Sequence, residues 1–227
     1  MKFDVDYFEN RKYSSREVLI KLHALEALKW VSTQLDISFL DGKGKKVLDV
    51  GCAYGYVTSL LKKLMYETYG LDVSAYALKL AVENKPKDAE FIVSDIQRSL
   101  PFMENTFDLV ICFDVLEHLL YPEKALKNMY AVCKDVLLCT TPHGVMDRIV
   151  KKLIRDYDET HINTKTPREW MRIIKKELSP PPEILKIECY YDIPLQVSNK
   201  VLFYKSLRFP KMGLGIRILI KKRVKNF

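Results

Sequence analysis

The chain has 227 residues, with 37 Lys and Arg against 29 Asp and Glu, a formal net charge of +8. That length supports one well-buried core, no apolar run approaches the ~20 residues a spanning helix needs, and MKFDVDYFENRKY at the N-terminus is too polar for a secretory signal. Five cysteines (Cys52, Cys112, Cys133, Cys139, Cys189) without a CxxC pair exclude a disulfide framework and a zinc ribbon, and read as reduced structural thiols of a cytoplasmic protein.

Ser14 and Glu17 have capping-box spacing, and Val18, Leu22, Leu25 and Leu28 follow at helical intervals. DGKGKK (41–46) turns into a first strand, KVLDV. A helix over 55–66, a second strand in ETYGLDV, and a helix capped by Ser74 and running through Lys85 come next. AEFIVSDI is a third strand, and TFDLVICFDV a fourth, apolar enough to be buried on both faces. Pro122 opens a helix to about Val132, DVLLCTTP is a fifth strand, and Thr166-Pro167-Arg168-Glu169 is a strong helix start. EILKIECYYDI is a sixth strand and GIRILIKKR a seventh. Alternating strands and helices predict an open α/β sheet, mostly parallel, with helices on both faces. The reading is of one domain: an N-terminal helix and lid (1–40), a core (41–178), and last strands with a basic tail (179–227).

In such a sheet a ligand lies beyond the carboxyl ends of the strands. VLDVGCAYG (47–55) places a glycine turn there, but G-x-A-x-G is not the G-x-G-x-x-G of a pyrophosphate cradle. Asp49 lies inside the first strand, Asp72 ends the second and Asp95 ends the third, an arc of carboxylates of ligand size beside the turn.

VLDVGCAYG, GLDVS, FIVSDI and FDLVICFDVLEHL together resemble the class I S-adenosylmethionine-dependent methyltransferases, in particular the LEH-motif group that includes ubiquinone-type O-methyltransferases. The resemblance covers roughly residues 40 to 178 and implies a seven-stranded sheet whose last strand is antiparallel. It also implies S-adenosylmethionine as cofactor. The turn at Gly51, Cys52, Ala53 and Gly55 would let the backbone approach the methionine half. Asp72 would accept from the ribose hydroxyls, a role suited to a carboxylate. Asp95 would take the adenine amino group between Val73 and Ile96, Phe113 would line the sulfonium, and Asp49 would orient the loop. Ala53 departs from the commoner GxGxG pattern; at positive φ its methyl would cost about 1 kcal/mol or more.

Asp114, Glu117 and His118 in FDVLEHL are the catalytic candidates; on a helix Asp114 and His118 would share a face. Three roles fit them: orienting loops, a general base at His118, or a divalent-metal site built from all three. No metal is assigned. His143 and His161 are loop histidines on the substrate side, expected to make structural hydrogen bonds, and His23 is incidental. The position after the fourth strand reads FDVL, not the (D/N)PP(Y/F) turn of amino-methylating DNA enzymes, and no cysteine follows a proline.

Nothing acidic follows Asp192, and nine of the 37 cations lie beyond it, so the rest holds 28 cations against 29 anions. A neutral body argues against a nucleic-acid-gripping enzyme. The tail reads as a substrate-side insertion with edge lysines, as a peripheral membrane contact, or as an RNA arm. The expected function is methyl transfer to an oxygen of a small or lipid-linked molecule. An RNA methyltransferase and an inactive cofactor-binding partner protein are the alternatives.

Overall fold

A computed structural model describes residues 3–83, 89–153, 158–197, 200–209 and 212–223. Helices run over Val5–Asn10 (α1), Glu17–Leu35 (α2), Tyr56–Lys63 (α3), Ala75–Glu83 (α4), Pro122–Val132 (α5), Gly144–Leu153 (α6) and Pro167–Glu177 (α7). Strands are Lys46–Val50 (β1), Glu67–Asp72 (β2), Glu90–Val93 (β3), Phe107–Phe113 (β4), Cys133–Pro142 (β5), Ile184–Val197 (β6), Lys200–Phe209 (β7) and Gly215–Lys221 (β8). They form one open sheet in the order β3-β2-β1-β4-β5-β8-β6-β7. β1, β2 and β3 pair in parallel, as do β4 and β5, whereas β8 is antiparallel to β5 and β6. The α/β sheet with an antiparallel closing strand is the expected one, with one strand more. β7 escaped notice because KVLFYKSLRF has no consistent alternation, and several of its apolar residues, Leu202 and Phe203 among them, are exposed.

The chain divides into two compact units, Met1–Asp95 with Asp192–Ser206, and Ile96–Tyr191 with Leu207–Phe227. In the first, Val47, Leu48 and Val50 of β1 are buried, as are Leu28, Trp30 and Val31 of α2. α2 begins three residues later than the Ser14 signal. A 3₁₀ turn over Tyr13–Arg16 intervenes, no side chain caps the helix, and Ser15 Oγ donates instead to the Lys12 carbonyl at 2.8 Å. Ser74 does cap α4, accepting from the Ala77 amide at 3.2 Å; the expected helix end at Lys85 lies outside the described residues, as do Lys211 and Lys225 of the tail. His23 is not incidental: its Nδ1 lies 2.7 Å from Asp192 Oδ2.

In the second unit Leu109 to Cys112 are buried without interruption, the two-sided burial expected of a central strand. Val136 to Thr141 and Gly215 to Ile220 are buried likewise. α7 starts as the sequence predicts, with Thr166 Oγ1 accepting from the Glu169 amide and the Glu169 carboxylate accepting from the Thr166 amide. Trp170 and Ile174, four apart, are both buried. All five cysteines are free and buried. No helix among the described residues is long and apolar enough to cross a membrane.

Replacing Thr166 by Ala removes this cap and is expected to cost about 1 kcal/mol. Trp170→Ala is expected to cost about 3–5 kcal/mol. Denaturant unfolding of the two variants measures both, and the larger loss belongs to the tryptophan.

Candidate functional site

Two constellations stand out, one in each unit. In the first, the turn after β1 is fastened to the end of β2. The amides of Gly51 and Cys52 both donate to the Leu71 carbonyl, at 2.7 and 3.1 Å. Gly51 and Gly55 have φ of +73°, and a Cβ on Gly55 would meet the Phe91 ring at 3.0 Å and the Ala81 methyl at 3.1 Å. Glycine is required at Gly55 on both counts. Ala53 has φ +47°. A left-handed alanine costs about 1–2 kcal/mol, and burying its methyl returns about 0.8 kcal/mol. The departure from glycine therefore leaves a net cost of up to about 1 kcal/mol.

Asp72 closes the turn from the other side. Its Oδ2 accepts from the Ala53 amide and its Oδ1 from the Ser74 amide, each at 2.8 Å. The Val73 amide bears on the same carboxylate, whose four lone-pair sites still leave acceptor capacity for a ligand. Burial raises its pKa despite these amides. Asp49, also buried, accepts from Thr58 Oγ1 at 2.6 Å and so ties β1 to α3; burial, with Asp72 adding to it, pushes its carboxyl up to about 7. Val73 is exposed, and Asp95 is half-buried two residues beyond β3.

The N-terminal aromatics pack against this turn. Phe8 of α1 lies 5.0 Å from the Tyr54 ring, and Tyr13 lies 5.0 Å from Tyr54 and stacks on Tyr56 at 5.7 Å. Phe8, Ala53, Tyr54 and Ala77 form one buried cluster. Burial and the nearby Asp49 and Asp72 carboxylates push the Tyr13 phenol well above its ordinary value. Tyr13 was not singled out from sequence, because nothing local distinguishes it from the chain's other twelve tyrosines.

The second constellation lies where β4 ends. Phe113 is half-buried, and Ile96 is buried with its carbonyl accepting from Asn128 Nδ2 at 2.7 Å. Asp114 leaves the strand at φ +53° and its Oδ1 accepts from Thr140 Oγ1 at 3.0 Å. Only Leu116–His118 then forms a single 3₁₀ turn, so Asp114 and His118 do not share a helix face. Glu117 is 0% exposed, and neither carboxylate oxygen has a hydrogen-bond partner; the Thr141 hydroxyl lies beside it without closing one. Burial, then Asp114, raise its pKa well above the carboxylate range. An unpartnered buried polar group costs about 1–3 kcal/mol, so this one calls for a reason.

The loop before α7 brings the rest. Ile162 and Asn163 amides donate to the Glu117 carbonyl at 3.0 and 2.9 Å, clipping the loop to the turn. His118 Nδ1 lies 2.8 Å from Thr160 Oγ1 and 3.2 Å from its carbonyl. The carbonyl assigns the proton to Nδ1 and leaves the lone pair on Nε2. His161 Nδ1 meets Asp147 Oδ1 at 2.9 Å, and its Nε2 lies 3.8 Å from Asp158 Oδ2. The two imidazole rings are 5.0 Å apart. Burial, then His161, hold the His118 pKa below 6.5.

Ligand atoms of Glu117, His118 and His161 lie within 4.8 Å of one another. One carboxylate and two imidazoles, both with outer partners, suit a divalent cation of the zinc or manganese type. His161 thus stands where the sequence reading had Asp114, whose Oδ1 serves Thr140. Asp147 and Thr160 were missed, since neither lies in a motif and α6 carries no helix-start signal. His143 is buried and accepts from the Val145 amide at 3.3 Å, the structural hydrogen bond expected of it.

Residues 48–136 match the family model of the methyltransferase domain. The ubiquinone biosynthesis O-methyltransferase of Coxiella burnetii is 30% identical over 117 residues, 47% of this chain and 44% of that protein. The 18S rRNA (guanine-N(7))-methyltransferase bud23 of Schizosaccharomyces pombe is 26% identical over 101 residues, 44% of this chain and 38% of that one. The chain thus spans under half the length of these curated relatives. Among solved structures, the magnesium protoporphyrin IX methyltransferase of Synechocystis PCC 6803, with bound SAH, superposes with a TM-score of 0.66 at 14% identity, over 97% of this chain and 96% of that one. Residues 48–136 thus carry a methyltransferase domain, and the described chain has the fold of that solved methyltransferase structure.

Proposed function

We propose that the protein binds S-adenosylmethionine at the 51–55 turn and Asp72, and methylates an oxygen of a small or lipid-linked molecule. The bound cofactor supplies a methyl carbon activated by positive sulfur. In the transfer the acceptor oxygen bonds to that carbon as the carbon–sulfur bond breaks, leaving S-adenosylhomocysteine, and the hydroxyl proton must go to a base.

The observation that carries the oxygen reading is the trio of buried Glu117 with half-buried His118 and His161. His118 keeps its lone pair on Nε2 and its pKa is held down, so at neutral pH it is a free base able to take the hydroxyl proton. Thr160 holds the ring of His118 and Asp147 that of His161, fixing the geometry in advance of the acceptor. A cation held by the trio would instead lower the acceptor's own pKa. The name of the Coxiella relative supports an oxygen acceptor. The yeast relative's name and the tail's cations favour RNA as a second reading. A guanine N7 carries no proton to remove, so that reaction would leave the trio without use.

Asp72→Ala is expected to weaken S-adenosylhomocysteine binding about 10-fold or more in an equilibrium titration, the loss of charge-assisted hydrogen bonds. Binding equal to wild type removes the site. His118→Ala is expected to lower kcat about 10²–10⁴-fold with cofactor affinity unchanged. Since the base is neutral above its lowered pKa, transfer is expected to hold at pH 6.5 and to fall only on further acidification. Labelled methyl from the cofactor is expected in the organic extract of a lysate; label confined to RNA selects the second reading. Activity that survives EDTA assigns proton removal to His118, and activity lost to EDTA and restored by Mn²⁺ assigns it to a cation on the trio.

A further inference from the structure

α6 is built upside down for a helix on a water-facing surface. Its single acid, Asp147, points inward to hold His161, while Val145, Ile149 and Leu153 face solvent at 41%, 43% and 77% exposure. Spaced i, i+4 and i+8, they make a ridge about 12 Å long at 1.5 Å rise per residue. At the helical repeat, the half-buried Met146 and Val150 widen the apolar arc on one flank, and exposed Arg148 and Lys152 line the other, with Lys151 behind them. The helix is fixed in this attitude. Its Gly144 amide donates to the Lys165 carbonyl at 2.9 Å, and the Asp147 amide to the His143 carbonyl at 2.8 Å.

We propose that α6 is an in-plane contact for an anionic lipid bilayer, its aliphatic ridge seated among the acyl chains and Arg148 and Lys152 at the headgroups. A broad apolar face bordered by cations, with no exposed acid, is the pattern of an interfacial helix. Arg and Lys stems can lie along the apolar layer while their charges reach the phosphates. RNA fits poorly, because the ridge has cations but no aromatic ring on which a base could stack. The contact stands whether or not the methyl acceptor is itself lipid-linked. If it is, the bilayer would meet the helix that supplies Asp147 to the histidine pair.

The test is sedimentation of the whole protein with phosphatidylcholine vesicles, with and without 30% phosphatidylglycerol, at low and high salt. Binding is expected to the anionic vesicles alone and to weaken with salt. Arg148→Ala with Lys152→Ala is expected to weaken it about 25-fold, at about 5-fold per cation. Leu153→Asp, at a position already in water, is expected to weaken it at least about 10-fold without changing the melting temperature. As a second measure, Leu153→Trp fluorescence is expected to shift to the blue on anionic vesicles. Failure to bind anionic vesicles overturns the proposal. So does binding that Leu153→Asp leaves intact, which would hand the contact to the basic tail. RNA or soluble-protein binding that is lost in Leu153→Asp, with no vesicle binding, overturns it in favour of that partner.

Discussion

A strand buried on both faces leaves no room for a polar side chain without a partner, and this constraint governs where chemistry can sit in the protein. Leu109 to Cys112 and Val136 to Cys139 fill the interior with aliphatic and thiol groups. Polar groups are pushed to the strand ends, where the backbone turns away and hydrogen bonds become available. Asp72, Asp114 and Thr140 all stand at such ends. Asp49 inside β1 and Arg217 inside β8 are exceptions: Thr58 answers Asp49 at 2.6 Å and its pKa rises, and the Arg217 guanidinium lies 4.1 Å from the Tyr190 ring centre.

Both constellations hold polar groups still, with different means. At the glycine turn the backbone does the holding: Leu71 fixes two amides, and Asp72 spans a third and a fourth. At the end of β4 side chains do it, through Thr140 on Asp114, Thr160 on His118 and Asp147 on His161. Glu117 has its carbonyl held by two amides, while its buried carboxyl, beside the Thr141 hydroxyl, carries a polar cost. A proton from an acceptor or a cation would each relieve it.

α6 couples two properties in one short helix. One face supplies Asp147 to the histidine pair, and the other presents three aliphatic side chains to solvent. A helix selected only for stability would exchange that outer face for polar residues. The exposure is therefore a feature to be explained by contact with something apolar.

The sequence by itself determined the sheet and the glycine turn, because both are written in local signals. Runs such as LVIC and LLC can satisfy their bulk only in a buried sheet, Gly55 alone fits its φ and its neighbours, and Thr166 to Glu169 cap α7 through contacts three residues long. Asp72 followed from a strand end, Asp49 from its place inside β1, and Glu117 from the LEH resemblance. Helix α2 shows the limit even of local reasoning: the Ser14 and Glu17 signal lost to a 3₁₀ turn that lets Tyr13 join the aromatic cluster. Only the tertiary structure decided that His161 rather than Asp114 joins Glu117 and His118, and that Asp147 and Thr160 hold the histidines. Those partners lie 14 and 42 residues apart in the chain. A hydrogen bond of that separation depends on where a loop is clipped, here by two amides on the Glu117 carbonyl, and no period or spacing in the sequence encodes it.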